Sequence, residues 1–285
     1  MDEALNQKID DYIKNMPSLS TTLSKVLEIC NNPHMSPADL NHVISLDPVL
    51  MGRVLKLINS AYYGLEQHVT SLVRAIIMLG INTVKNLALS SAVIGQFNPK
   101  ESQGLDCEGY WRHSLCVGVA AKLIAGKRGV DPSLLEEYFT AGLLHDIGKI
   151  PLNGVLPRDY LLAIKDADLK GLSLFQAETE NMGTNHNEVG KRVVEAWRIE
   201  GALGDAVIHH HNCAEYAGDH KDLLYSVAAA NHFASLMKIG FSGDCHPEKI
   251  DAVVLETLGL NWEALENIKP IVDNEIEKAQ IFLKL

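Results

Sequence analysis

The sequence predicts an all-α protein, a helical bundle in two packed subdomains. Three observations predict it. Helix-start signals recur along the chain, apolar residues follow them at three- and four-residue spacing, and no convincing period-2 strand or hairpin dipeptide appears.

The elements follow in order. Ser36-Pro37-Ala38-Asp39 places an N-cap, a proline at the first helical position and an acid at the third, before Leu40, Val43, Ile44 and Leu46. Asp47-Pro48 opens the next helix, with Leu50, Val54, Leu57 and Ile58 as its apolar stripe. The polar stretch Asn98–Asp106 contains Pro99 and Gly104, and it divides the chain into a first subdomain (1–97) and a second (98–285). Asp131-Pro132 repeats the start signal ahead of Leu134, Leu135, Tyr138, Phe139, Leu143 and Leu144. Ser226–Ile239 and Glu263–Leu283 also have helical spacing. Irregular stretches are expected at 151–157 and 212–221.

At 285 residues, 47% hydrophobic and 21% charged, the chain has ample length for a large core and a globular composition. No apolar run approaches the roughly 20 residues of a membrane span, and the N-terminus is polar and amphipathic, so a cytoplasmic protein without membrane association is expected. Up to Gln96 the chain holds 7 Lys or Arg against 8 Asp or Glu; beyond it the numbers are 18 against 28. That acidic second part offers no footprint for a nucleic-acid backbone. The 5 cysteines are scattered, with no CxxC pair, and are expected to be reduced thiols.

The chemistry concentrates in histidines. His145 and Asp146 sit in Ala141-Gly142-Leu143-Leu144-His145-Asp146-Ile147-Gly148-Lys149-Ile150, flanked by apolar residues and expected to lie inside a helix. A buried carboxylate needs a partner, and a metal cation is a suitable one. Lys149 shares a face with the pair and could meet a phosphate held by the metal, with Gly142 and Gly148 leaving room for close approach. His113 lies mid-helix, His186 at a helix start, and His209-His210-His211 at the end of a helix beginning near Ala202. Four helices thus offer imidazoles beside one aspartate, the way bundles build metal sites from facing helices. That donor set suits one or two divalent transition metals, Fe, Mn, Ni, Co or Zn, better than calcium.

The order His113, His145-Asp146, His186, His210-His211 resembles the HD superfamily of metal-dependent phosphohydrolases. Four N-terminal segments resemble its HDOD branch in particular: Met16–Ser20, Leu46–Leu50, Ile58–Tyr63 and Ala75–Gly80. The resemblance covers roughly 17–239. It implies a bacterial-type signalling module with metal ligands at His113, His145, Asp146, His186, His210 and His211, and Asp146 bridging if there are two ions. Two departures stand out. The glycine-tyrosine-proline signature of the related HD-GYP branch is replaced by Cys213–Gly218, which argues against cyclic di-GMP hydrolysis. The aspartate with which HD enzymes close the site is matched by Asn231, within Ala228–Phe233.

Two functional classes remain open. One is a phosphohydrolase acting on a nucleotide or other phosphate ester, with Asp146 and Lys149 as the catalytic pair. The other is a signalling module that senses a ligand, such as a phosphate-containing small molecule, or binds a protein partner. Three smaller features have two readings each: Asn59–Tyr63 as binding face or packing, Trp262–Leu285 as partner helix or bundle closure, and His232 as alternative ligand or a residue facing elsewhere.

Overall fold

The computed structural model describes residues 3–16, 20–30, 35–94 and 104–284. Among them there are α-helices and short 3-10 turns and no strand. The first block comprises α1 (Glu3–Asn15), α2 (Thr21–Cys30), α3 (Pro37–Ser45), α4 (Pro48–Ile58), α5 (Leu72–Leu79) and α6 (Ile81–Ile94). The second opens with α7 (Cys107–Lys127), α8 (Leu135–Leu144), α9 (Lys149–Val155), α10 (Pro157–Lys170) and α11 (Leu174–Met182). It continues with α12 (His186–Trp197), α13 (Ala202–His209), α14 (Lys221–Leu236), α15 (Ala252–Leu258), α16 (Trp262–Glu266) and α17 (Lys269–Ala279). No single helix is long and apolar enough to cross a membrane.

Local chemistry sets the starts. Ser36 and Asp39 form a reciprocal capping box on α3, and Asp47 caps α4 through the amides of Val49 and Leu50. The start signal at Asp131-Pro132 opens a 3-10 turn over Pro132–Leu134, and α8 follows. Three expectations are corrected. Leu46 lies beyond the end of α3 and is exposed. The stretch 151–157 is helical on both sides of Leu156, with Pro151 inside α9. The span Glu263–Leu283 is broken, because Pro270 sits in the first turn of α17 and cannot continue the hydrogen bonding of α16. The expected subdomain break at Asn98–Asp106 lies, up to Gln103, outside the described residues, as do Pro17, Ser18 and Leu19 of the first resembling segment.

The frame of the second block is α7, with α8, α14 and α17 packed on it. Where α7 and α8 cross, the backbones meet at Gly118 and Gly142; a Cβ on Gly142 would lie 2.6 Å from the Gly118 nitrogen. Elements of the first block also pack on the second. Helix α1 packs against α9 and α12. Tyr62 meets Tyr63, Phe139 of α8 and Phe282 of the C-terminal turn at centroid distances of 5.1, 5.5 and 5.5 Å. Lys122 caps this nest, 4.6 Å from the Tyr62 centroid, and its Nζ is 2.6 Å from the buried Glu136 carboxylate. The Asn59–Tyr63 segment therefore serves packing, and Val272, Ile276, Ala279 and Phe282 close the bundle with the terminal elements.

Candidate metal centre

The structure brings His113, His145, Asp146, His186, His210, His211 and Asn231 together from α7, the α8–α9 turn, α12, the end of α13 and α14. His145 and Asp146 do not lie inside a helix. They occupy the turn between α8 and α9. The packing of this turn on α12 depends on glycine: a Cβ on Gly148 would lie 2.0 Å from the His186 carbonyl oxygen and 2.5 Å from the Gly190 nitrogen. Gly142 and Gly148 thus leave room for neighbouring backbone, and the two contacts press the His-Asp turn against α7 and α12.

Hydrogen bonds fix how each ring points. His145 Nδ1 is 2.7 Å from the Gly142 carbonyl, and His210 Nδ1 is 3.0 Å from that of Ala206. His186 Nδ1 is 2.6 Å from Glu178 Oε2, which also accepts from the His186 amide at 2.8 Å. A ring that donates from Nδ1 keeps its lone pair on Nε2. Those Nε2 atoms converge on Asp146. Oδ2 lies 3.3 Å from His145 Nε2, while Oδ1 lies 3.3 Å from His186 Nε2 and 3.6 Å from His210 Nε2. His113 Nε2 is 3.0 Å from Asn231 Oδ1.

His145 Nε2, His186 Nε2, His210 Nε2 and Asp146 Oδ1 are buried without a hydrogen-bond partner among the described residues. Orphaned buried acceptors are costly, at about 1–3 kcal/mol each, so four converging in one place call for a cation besides Lys149, which meets Asp146 only at Oδ2. The spacing fits. Two ligand atoms about 2.1 Å from one ion stand about 3.0 Å apart at a right angle and about 3.4 Å apart at the tetrahedral angle. Two groups form, His113, His145 and Asp146 in one and His186, His210 and His211 in the other, each with donor atoms within 4.8 Å of one another. The two oxygens of Asp146 face different groups, an arrangement suited to a bridging carboxylate.

Lys149 is a buried cation in this centre. Its Nζ lies 2.7 Å from Asp146 Oδ2 and donates to the Ser242 carbonyl at 3.1 Å. Burial works against ionisation of Asp146, yet the neighbouring His145 and Lys149 hold its carboxyl well below the usual range. Burial favours the neutral form of four of these histidines, pulling His113 and His210 down to about 3 and His186 and His211 well below their ordinary value. Neutral imidazole is the metal-binding form.

Three residues of the centre were missed in the sequence. Glu178 is fully buried, and burial pushes its carboxyl up to about 8. Its signal is position, since it shares the apolar face of α11 with Leu174, Ala177 and Met182. Ser242 and Glu248 lie on the irregular segment 238–251, which has no comparable signal. His232 belongs to neither ligand group; it packs against Trp262 at 5.6 Å and lines a cavity beside the centre. This cavity of about 220 Å³ is also lined by His210, His211, Asn231, Asp244 and Glu248, among others.

Comparison with known proteins agrees with this architecture. The HDOD domain family model matches residues 16–213. An HDOD domain protein of unknown function from Geobacter sulfurreducens has the same fold, with a TM-score of 0.77 at 22% identity over 99% of both chains. A Shewanella amazonensis protein provisionally named a phosphohydrolase superposes with a TM-score of 0.72 at 25% identity over 98% of both chains. An uncharacterized protein of Treponema pallidum is 24% identical over 227 residues, which is 80% of this chain but only 44% of that relative, so the chain spans less than half its length. With a family match over most of its length and a fold shared end to end, the chain belongs to the HDOD domain family.

Proposed function

We propose that the protein is a cytoplasmic HDOD signalling module that binds one or two divalent transition metals (Fe, Mn, Ni, Co or Zn) and passes its metal or ligand state to a protein partner. The convergence of four orphaned buried donor atoms, His145 Nε2, His186 Nε2, His210 Nε2 and Asp146 Oδ1, carries this reading. His113, His145, Asp146 and Asn231 would hold one ion, and His186, His210 and His211 a second, with Asp146 between them. When bound, the metal supplies positive charge and lowers the pKa of bound water. This chain's own residues are arranged more for holding than for turnover. Lys149 is committed to Asp146 and the Ser242 carbonyl. The adjoining cavity carries Glu215, Asp244, Glu248 and Asp251 against Lys249, a poor surface for a phosphate ester. Asn231 supplies no negative charge.

The alternative, a phosphohydrolase with Asp146 and Lys149 in catalysis, is supported by the two faces of Asp146 and by the name given to the Shewanella relative. Elemental analysis of untagged protein, followed by a metal-supplemented screen against nucleotides, cyclic dinucleotides and generic phosphate esters, separates the two readings. The expected result is bound metal and no turnover above that of a His145→Ala, Asp146→Ala double variant. Turnover well above that control would establish the enzyme; metal-free protein would sink both readings. Free metal at a hundred times its Kd should stabilise the fold by about 2.7 kcal/mol, seen as a higher Tm that a chelator reverses.

Asn231 gives a second expected outcome. Asn231→Asp keeps the side-chain size and adds a charge 3.0 Å from His113 Nε2. Tighter binding at the His113–His145–Asp146 group is expected, about tenfold in Kd for each 1.4 kcal/mol gained, together with higher phosphoesterase activity if any is measurable. Unchanged metal affinity with a lower Tm would show that Asn231 only packs and hydrogen-bonds.

A further inference from the structure

His186 and His211 differ from the other histidines of the centre in what faces Nδ1. His145 and His210 point it at carbonyls of their own chain turn, whereas His186 points it at Glu178 and His211 at Glu248, the latter across 3.6 Å. Glu178 is part of the buried bundle. Glu248 arrives on the segment 238–251, beyond the residues matched by the family model.

That segment is fastened over the site at several points. Gly240 adopts a positive φ of 71°, and a Cβ there would lie 2.3 Å from the His113 nitrogen, so only glycine allows this approach. The Phe241 amide donates to the Gly109 carbonyl at 2.9 Å, one turn before His113. Lys149 holds the Ser242 carbonyl. Ser173 Oγ donates to Glu248 Oε1 at 3.0 Å, which leaves Oε2 turned toward His211. Phe175 stacks on the His211 ring at 4.7 Å and 18°, fixing its plane.

We propose that Glu248 is a positioning residue for His211, so that metal binding at His186, His210 and His211 and closure of the 238–251 segment are one coupled event. The inference rests on the metal-binding reading above. A carboxylate that accepts a hydrogen bond from the Nδ1–H of a histidine fixes its tautomer, aims Nε2 and makes it a stronger donor; losing such a partner typically costs about 10–100-fold in metal affinity. Because Glu248 sits on the segment, an ion that binds better with Glu248 in place must hold the segment closed by the same factor.

The test uses the full chain and Co²⁺, followed by its visible absorption, with hydrogen exchange of the 238–251 amides measured with and without the ion. Wild type should take up Co²⁺ and exchange more slowly in 238–251 when loaded. Glu248→Gln and Glu248→Ala should each weaken uptake about 10–100-fold and abolish the metal-dependent slowing. Glu248→Asp should restore part of both. The carboxylate is 30% exposed, so these variants should fold, as the metal-free Tm will report. If wild type takes up no Co²⁺, the metal-centre reading fails and this inference with it. If wild type takes up Co²⁺ while exchange in 238–251 is unaffected and the variants bind as tightly, this inference alone is overturned.

Discussion

Replacing Asp146 with alanine is expected to abolish metal uptake and to destabilise the metal-free protein by about 3–5 kcal/mol. The size follows from what remains behind. Lys149 Nζ is 2.7 Å from Asp146 Oδ2 and almost fully buried, so removal of the carboxylate strands an ammonium with one carbonyl partner, that of Ser242. Asp146 also lies between His145, His186 and His210, so the two histidine groups lose the anion common to them. Chemical denaturation and metal analysis of the same preparation check both parts. Lys149→Met in the Asp146→Ala background should recover stability without recovering metal, since a buried charge is replaced by a side chain of similar length. A loss of stability below 1 kcal/mol would mean that Lys149 finds another partner and that the pair does little for the fold.

Gly148→Ala should be nearly as damaging, although it adds one methyl group. The added Cβ would sit 2.0 Å from a carbonyl oxygen and 2.5 Å from a backbone nitrogen. Neither atom belongs to a side chain that could rotate away, so the His-Asp turn must move from α12. Overpacking typically costs about 1–3 kcal/mol, and an obstacle made of backbone places this change at the upper end. Displacement of His186 relative to Asp146 should weaken metal binding as well. Gly129→Ala, at a position where a Cβ meets nothing but φ is 79°, provides a comparison for backbone strain alone. Equal effects at the two sites would remove the case for a close contact at Gly148.

What could be read in the sequence was local. Ser36 and Asp47 announce α3 and α4 because a cap acts on amides two and three residues away. The His-Asp pair and the separate histidines stood out because such side chains are uncommon amid apolar neighbours. The break after Leu144 was missed because the surrounding residues are apolar enough for a continuous helix; Gly148 marked it, through a contact with α12 that no local pattern contains. Pro270 carried the split between α16 and α17, yet the apolar periodicity on either side outweighed it. Glu178 was legible in principle as an acid on an apolar helix face. Glu248 and Ser242 were not, because a Gly- and Asp-bearing stretch has the composition of a solvated loop and its contacts with Ser173, His211 and Lys149 are long-range.

The meeting of Gly118 and Gly142 bears on which ion the centre accepts. Backbone rests on backbone there, so no rotamer change can absorb a slide of α7 along α8. His113 lies five residues before that junction and His145 three residues after it, so the backbone positions that carry their rings are set by the crossing. A cage of fixed width sorts ions by radius and preferred geometry, whereas imidazole and carboxylate donors by themselves bind first-row divalent ions in the common order of rising affinity toward copper. An ion too large for the gap would strain the helix crossing itself, and the cost would fall on the stability of the loaded fold.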